Sequence, residues 1–419
     1  MQDKLKKLTI PGILIILLAI VLTILLIRIQ RNDSLLISNT SFETLNNINN
    51  SYGQNQYINF LNNLLQNFGE LSIIILQVLL AISSFWLFFL ILKSEGAKTS
   101  IIFNVLLFIL ISPAFLYNTL IINTQILILF LFLLTGYLFL KKKPLSYLIG
   151  VLLFLTDVFS LLILIAIILF YKKKYMWSLI VSILPLILIL KDFTHIYNII
   201  FEFGIISGYS LGLIIFTIIG IGMSRDNIKE NNGIYLLFLL ILLKTLIIGN
   251  YLIFLVPITF FGAPQLYALF KKQWGIKVMK IVTLILIITS LLIPFIYSAN
   301  LITKSSPTFD DINSLIFLSS KEKGSVLSCK NYEGIITYVS GQETIKNNQG
   351  VVNEIFNSYS QITIRQDLEL LNVKYIWINS EIKNRYWPHE KRFYYMLQDK
   401  TTFEKIYDAN QKEIYEVII

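Results

Sequence analysis

Cysteine, histidine and charge are all scarce in this chain. One cysteine, Cys329, allows no disulfide within the chain, and with only two histidines beside it a structural zinc cluster lacks ligands. Charged residues make up 14% of 419 positions, against about a quarter in soluble domains. Hydrophobic residues make up 55%, and mean hydropathy is +0.70. A soluble globule is excluded. No G-x-x-x-x-G-K-[ST] phosphate loop, H-E-x-x-H pair or G-x-S-x-G elbow occurs, so ATPase, zinc-protease and serine-hydrolase readings have no support in the sequence.

What is present is unevenly placed. Residues 1–298 hold 21 Lys and Arg against 10 Asp and Glu, whereas 299–419 hold 14 against 15. The basic part is also the apolar part. That argues against a nucleic-acid partner, which needs an exposed basic face, and for a lipid bilayer whose cytoplasmic loops gather positive charge.

A bilayer core of about 30 Å takes about 20 apolar helical residues. The first such run is 9–28, preceded by Lys4, Lys6 and Lys7; Arg28, Arg31 and Asp33 follow where a cleavage site would stand, so it reads as a retained helix. Further runs lie at 71–92, 100–117, 125–140, 145–170, 176–190, 207–223, 233–250, 251–270 and 279–298. One steep helix over 145–170 would put Lys141–Lys143 and Lys172–Lys174 on opposite sides. Two short helices turning near Asp157 keep both clusters inside and spare a carboxylate from mid-span. The expectation is an α-helical polytopic membrane protein of about eleven transmembrane helices, N-terminus cytoplasmic, with a transmembrane domain over 1–298. Seventeen of the 21 cations then fall inside, with Arg28, Arg31 and Lys191 outside and Lys244 within a helix.

Two outward loops are long, 29–70 and 191–206. The first ends in the amphipathic stretch Tyr57–Leu65, suited to the membrane interface. The tail, 299–419, has the composition of a small extracytoplasmic α/β domain. Strand-like runs are Ser325–Cys329, Gly334–Val339 and Lys374–Ile378; helical spacing covers 350–358 and 364–372; and 403–417 reads as a hairpin around Ala409-Asn410-Gln411.

Carboxylates of the apolar part are few. Asp3, Glu95, Asp226 and Glu230 fall inside among lysines. Asp33, Glu43, Glu70, Asp157, Asp192 and Glu202 fall outside or in turns, and acid–base chemistry at the outer face must draw on these, on His195 or on the tail. Lys244 is flanked by long apolar stretches, which makes a lipid phosphate its natural anionic partner; plain snorkelling is the alternative. Arg28 and Arg31 break the charge rule and are read as phosphate or headgroup contacts.

An amino-terminal helix, a long first outer loop, many short apolar helices and a carboxy-terminal α/β domain together resemble the GT-C superfamily of membrane glycosyltransferases, which includes oligosaccharyltransferase catalytic subunits and dolichyl-phosphate-mannose-dependent enzymes. Leu35–Leu45 looks like the family's first-loop pattern, Ser112-Pro113-Ala114-Phe115 like the Ser-Pro-x-Phe ending of its third helix, and Leu370–Ile378 followed by Phe403–Tyr407 like its carboxy-terminal strands. The resemblance implies transfer of a sugar from a polyprenyl-phosphate carrier to a glycan or protein acceptor. Glu43 or Asp33 would be the catalytic base, and Lys244, Arg31, Asp157, Asp192 and His195 would contact substrate or lipid phosphate. Thr40 stands where the family places its first-loop acid, 118–124 carries no carboxylate for the usual metal-holding pair, and the Trp-Trp-Asp signature is absent. The cofactor is left open: the resemblance allows a divalent metal, but no acidic pair to hold one is seen, and a non-catalytic scaffold or accessory subunit of surface-glycan assembly is the alternative function. A transporter, the third reading, calls for internal repeats that the chain lacks.

Overall fold

The computed structural model describes residues 2–31, 33–46, 52–171, 211–223, 252–271, 277–305, 307–345, 349–358, 360–387 and 392–418. The runs at 176–190 and 233–250 and the loop 191–206 lie outside these residues, as do Lys244, Asp192 and His195. In chain order the helices are α1 (Gln2–Gln30), α2 (Ser38–Asn46), α3 (Tyr52–Phe68), α4 (Glu70–Ser94), α5 (Thr99–Leu110), α6 (Pro113–Leu120), α7 (Gln125–Leu140), α8 (Leu145–Thr156), α9 (Val158–Tyr171), α10 (Leu211–Met223), α11 (Leu255–Lys271) and α12 (Lys277–Lys304). Then come α13 (Phe309–Ser319), β1 (Ser325–Leu327), α14 (Glu333–Ser340), β2 (Glu343–Thr344), α15 (Gln349–Asn357), α16 (Gln361–Leu370), β3 (Val373–Ile378), α17 (Ser380–Tyr386), α18 (Arg392–Met396), β4 (Phe403–Ala409) and β5 (Lys412–Val417). They form two compact units, 1–27 with 49–304 and 28–48 with 305–419.

The first unit is helical. Among the described residues three stretches are long and apolar enough to cross a bilayer: Gly12–Gln30, Glu70–Ser94 and one opening at Ile281 within α12. The α5–α6 pair makes a fourth if its 58° bend is one broken span. Pro113 sits at the start of α6, where a missing N–H costs nothing, so the bend falls at Ser112. Over 145–170 the chain breaks at Asp157, which is extended at φ −156° and ψ 96°. A Cβ on Gly150 would lie 3.8 Å from the Leu161 side chain. Eleven residues of straight helix would separate the two by about 16 Å, so α9 folds back beside α8. Helix α3 covers the amphipathic stretch of the first loop, with Ile58 and Leu61 buried and Phe60 and Phe68 exposed.

The second unit is built on a five-stranded sheet of order β2-β1-β3-β5-β4. β1 runs parallel to β2 and β3, while β5 is antiparallel to β3 and β4. α14 leads outward from β1 to β2, and α15 and α16 lead back to β3. The hairpin turns at Asn410 and Gln411, both at positive φ. Trp377 and Tyr375 on β3 are fully buried, and the Trp377 indole N–H donates to Ser314 Oγ of α13 at 2.9 Å. One expectation is corrected: Gly334–Val339 is helix, not strand. Its β-branched content is overridden because Gly334, Ile335 and Ile336 are buried by helical packing and Gly341, at φ +65°, caps the helix.

Candidate functional site

Residues 28–48 belong to the second unit. Arg28, at the end of α1, is fully buried and donates from Nε to Ser34 O at 2.8 Å, from Nη1 to Ser305 O at 2.8 Å and from Nη2 to Pro307 O at 3.2 Å. The guanidinium is therefore committed to main-chain carbonyls. This corrects its reading as a headgroup contact: a planar fork of five donors suits converging carbonyls, and burial excludes solvent and lipid. Beyond it, α2 lies on α14, burying Phe42 and Leu45 and setting the Phe42 ring 5.7 Å from that of Tyr338.

Asp33 hangs on the same turn, its N–H donating to Arg28 O at 3.0 Å. Partial burial pushes its carboxyl above the ordinary aspartate value; Arg28 and Arg31 pull it down, and Asp311 and Asp310 push it up. The net rise marks a carboxylate with more than usual appetite for a proton. Arg31 is exposed on this turn, and Glu43 is exposed on α2. The structure thus brings Asp33, Arg31 and Glu43 into one unit. Asp157 belongs to the other unit, where it accepts from Ser160 Oγ and stands before α9, a position that favours a carboxylate through the helix dipole. Lys244, Asp192 and His195 lie outside the described residues.

Behind Asp33 is a buried polar lattice. Asp311 caps α13, accepting from Thr308 N at 2.9 Å and Thr308 Oγ1 at 2.8 Å. Its other oxygen meets Lys412 Nζ at 2.8 Å and Asn379 Nδ2 at 3.4 Å. Glu413 is ringed by Tyr394, Lys383 and Lys405 at 2.8, 3.1 and 3.1 Å. Burial alone would raise its carboxyl, but these donors outweigh burial and hold it below the usual range.

Two groups of residues escaped the sequence reading. At the carboxyl ends of the parallel strands, Ser328 and Thr344 are 7% and 8% exposed, and their hydroxyls have no hydrogen-bond partner among the described residues. Buried hydroxyls are normally paired, and ligands of open α/β sheets bind beyond this end of the strands. In the helical unit Gln77 of α4 donates to Tyr57 Oη at 2.9 Å and to Asn123 O at 3.4 Å, and Asn123 donates to Asn118 Oδ1 at 2.6 Å. The signal for this cluster was a lone Gln inside an apolar run. Among the described residues no group of three or more His, Cys, Asp and Glu could hold a metal ion. The amides of Asn118 and Asn123 are poor substitutes for a carboxylate pair, so the residues described do not fit a divalent cation.

The fold is one of apolar helices, one pair of them bent, followed by a unit on a five-stranded sheet that residues 28–48 join. The particular structures it matches are archaeal oligosaccharyltransferases. The Archaeoglobus fulgidus enzyme in complex with Zn and sulfate aligns at TM-score 0.54 and 12% identity, covering 97% of this chain and 73% of that one. AglB from the same organism, in complex with an inhibitory peptide and a dolichol-phosphate, aligns at 0.53 and 12%, covering 89% and 69%. The form tethered to an acceptor peptide containing the NVT sequon aligns at 0.50 and 12%, covering 88% and 69%. At this identity the likeness is one of fold. No protein-family model matches the chain, and no curated protein sequence matches it.

Proposed function

We propose that this protein is a glycosyltransferase of the cell membrane that passes a sugar from a polyprenyl-phosphate carrier to a glycan or protein acceptor at the outer face. The observation that carries the reading is the likeness in fold, across most of the chain, to oligosaccharyltransferases solved with an inhibitory peptide and a dolichol-phosphate and with a tethered acceptor peptide. Within that fold Asp33 is the base of choice, because its raised affinity for a proton and its fixed main chain suit it to take one. The acceptor hydroxyl or amide loses its proton to Asp33 as its heteroatom bonds the anomeric carbon. The bond from that carbon to the carrier phosphate breaks, and the phosphate leaves with the electron pair. Arg31, on the same turn, offsets the developing charge, and Glu43 is the alternative base.

Turnover of a labelled polyprenyl-linked sugar by the purified protein tests this. Asp33→Asn should lower kcat by at least about 100-fold. In the wild type, activity should fall on the acid side through a pKa above 3.8, and the residual activity of the variant should lack that limb. A fully active Asp33→Asn, Glu43→Gln double variant would remove both bases. The second reading, a non-catalytic scaffold of surface-glycan assembly, is favoured by Thr40 at the position of the family's first-loop acid. Glycan or peptide binding with no turnover would establish it.

A further inference from the structure

The turn between α7 and α8 is Lys141-Lys142-Lys143-Pro144, and its backbone is unusual. Lys142 takes φ +53°, with its N–H donating to Phe139 O at 2.9 Å and the Lys143 N–H to Leu138 O at 3.0 Å. This left-handed cap is the place of glycine or asparagine, since a Cβ is strained at positive φ. The helix dipole at the end of α7 accounts for a cation nearby, but one lysine would serve it. Lys141 already lies over the Tyr137 ring at 6.0 Å. Lys142 and Lys143 instead line a cavity of about 470 Å³ whose other walls include Phe139, Leu140, Ser146 and Tyr147. The cavity lining thus combines two cations with apolar and aromatic side chains. From it an uncovered apolar strip descends α8: Leu145, Leu148, Val151 and Leu152 are 50%, 60%, 55% and 45% exposed. Cation, aromatic and apolar track follow in the order of the parts of a lipid.

We propose that this turn is a binding site for an acidic glycerophospholipid, its phosphate held by Lys142 and Lys143 and its acyl chain laid along the exposed side of α8. The inference is independent of the proposed chemistry, because it draws only on the helical unit and predicts lipid retention whether or not sugar is transferred.

The test is native mass spectrometry of the full-length protein ejected from phosphatidylcholine nanodiscs containing a minority of phosphatidylglycerol. The wild type should retain phosphatidylglycerol. The Lys142→Gln, Lys143→Gln variant should retain it about 30-fold more weakly, or about fivefold per lysine. A control pair at another basic turn, Lys93→Gln with Lys98→Gln, should change retention by no more than about twofold. Lys142→Gly separates binding from folding: it relieves the backbone strain, so it should melt no lower than the wild type and still lose lipid. Equal losses in the two lysine pairs would reduce the effect to general charge attraction and overturn the proposal. So would displacement by inorganic phosphate alone, or preferential retention of a polyprenyl phosphate over phosphatidylglycerol.

Discussion

Lys412 and Asp311 show how much of the second unit rests on single polar contacts. Their side chains are 6% and 1% exposed and 2.8 Å apart. Removing one partner of such a pair strands a charge in a place that cannot hydrate it, at a cost of about 3–5 kcal/mol. Lys412→Met should therefore lower the unfolding transition of the full-length protein by that order. Adding Asp311→Asn should recover part of the loss, giving a coupling energy of at least about 1 kcal/mol in a double-mutant cycle; strict additivity would show the pair to be energetically idle. Sequence alone could not reveal this pairing, because the two residues are a hundred positions apart and look like ordinary surface charges. Arg28 was visible as an exception to the charge rule, but not what it binds, since main-chain carbonyls leave no trace in composition. Asp33 was legible as one of few carboxylates in the apolar part; its electrostatic neighbours Asp310 and Asp311 come from the far end of the chain.

At the scale of elements, the apolar runs were legible because a bilayer demands length and hydrophobicity that soluble helices rarely combine. Strands β1 and β3, the hairpin and helices α15 and α16 follow the local patterns expected of them. The fold-back at Asp157 was readable because a carboxylate and two lysine clusters constrained the same stretch. Helix α14 was not, because its packing surface is α2, remote in sequence. Close helix packing was equally hidden. A Cβ on Gly220 of α10 would fall 2.1 Å from the carbonyl oxygen of Phe261 on α11, a backbone atom that cannot swing aside. Small residues that let backbones approach are the usual means of joining helices in lipid. Gly220→Ala should thus force α10 and α11 apart and lower the melting temperature of the purified protein, whereas Gly222→Ala, with nothing within 4 Å, should not. Equal behaviour of the two variants would sever the link between this contact and stability.

For the whole molecule, the distribution of lysines carries the orientation proposed above. A reporter fused after Ile419 should read as extracytoplasmic and one inserted at the exposed turn of Gly96 as cytoplasmic; the reverse pattern would invert both the topology and the face assigned to the chemistry. Architecture was more legible than catalysis. Hydropathy and charge asymmetry accumulate over hundreds of residues, whereas a base is one side chain whose environment is assembled from distant segments. The discontinuity of the second unit has a consequence for biosynthesis. Its opening segment, 28–48, emerges early, yet the rest of the unit lies beyond residue 304. About 300 residues must be translated before Phe42 meets Tyr338, and closing so long a loop is entropically slow. Until then that segment waits with its apolar side uncovered, a flag that quality-control factors can read, so a truncated product would advertise its own incompleteness.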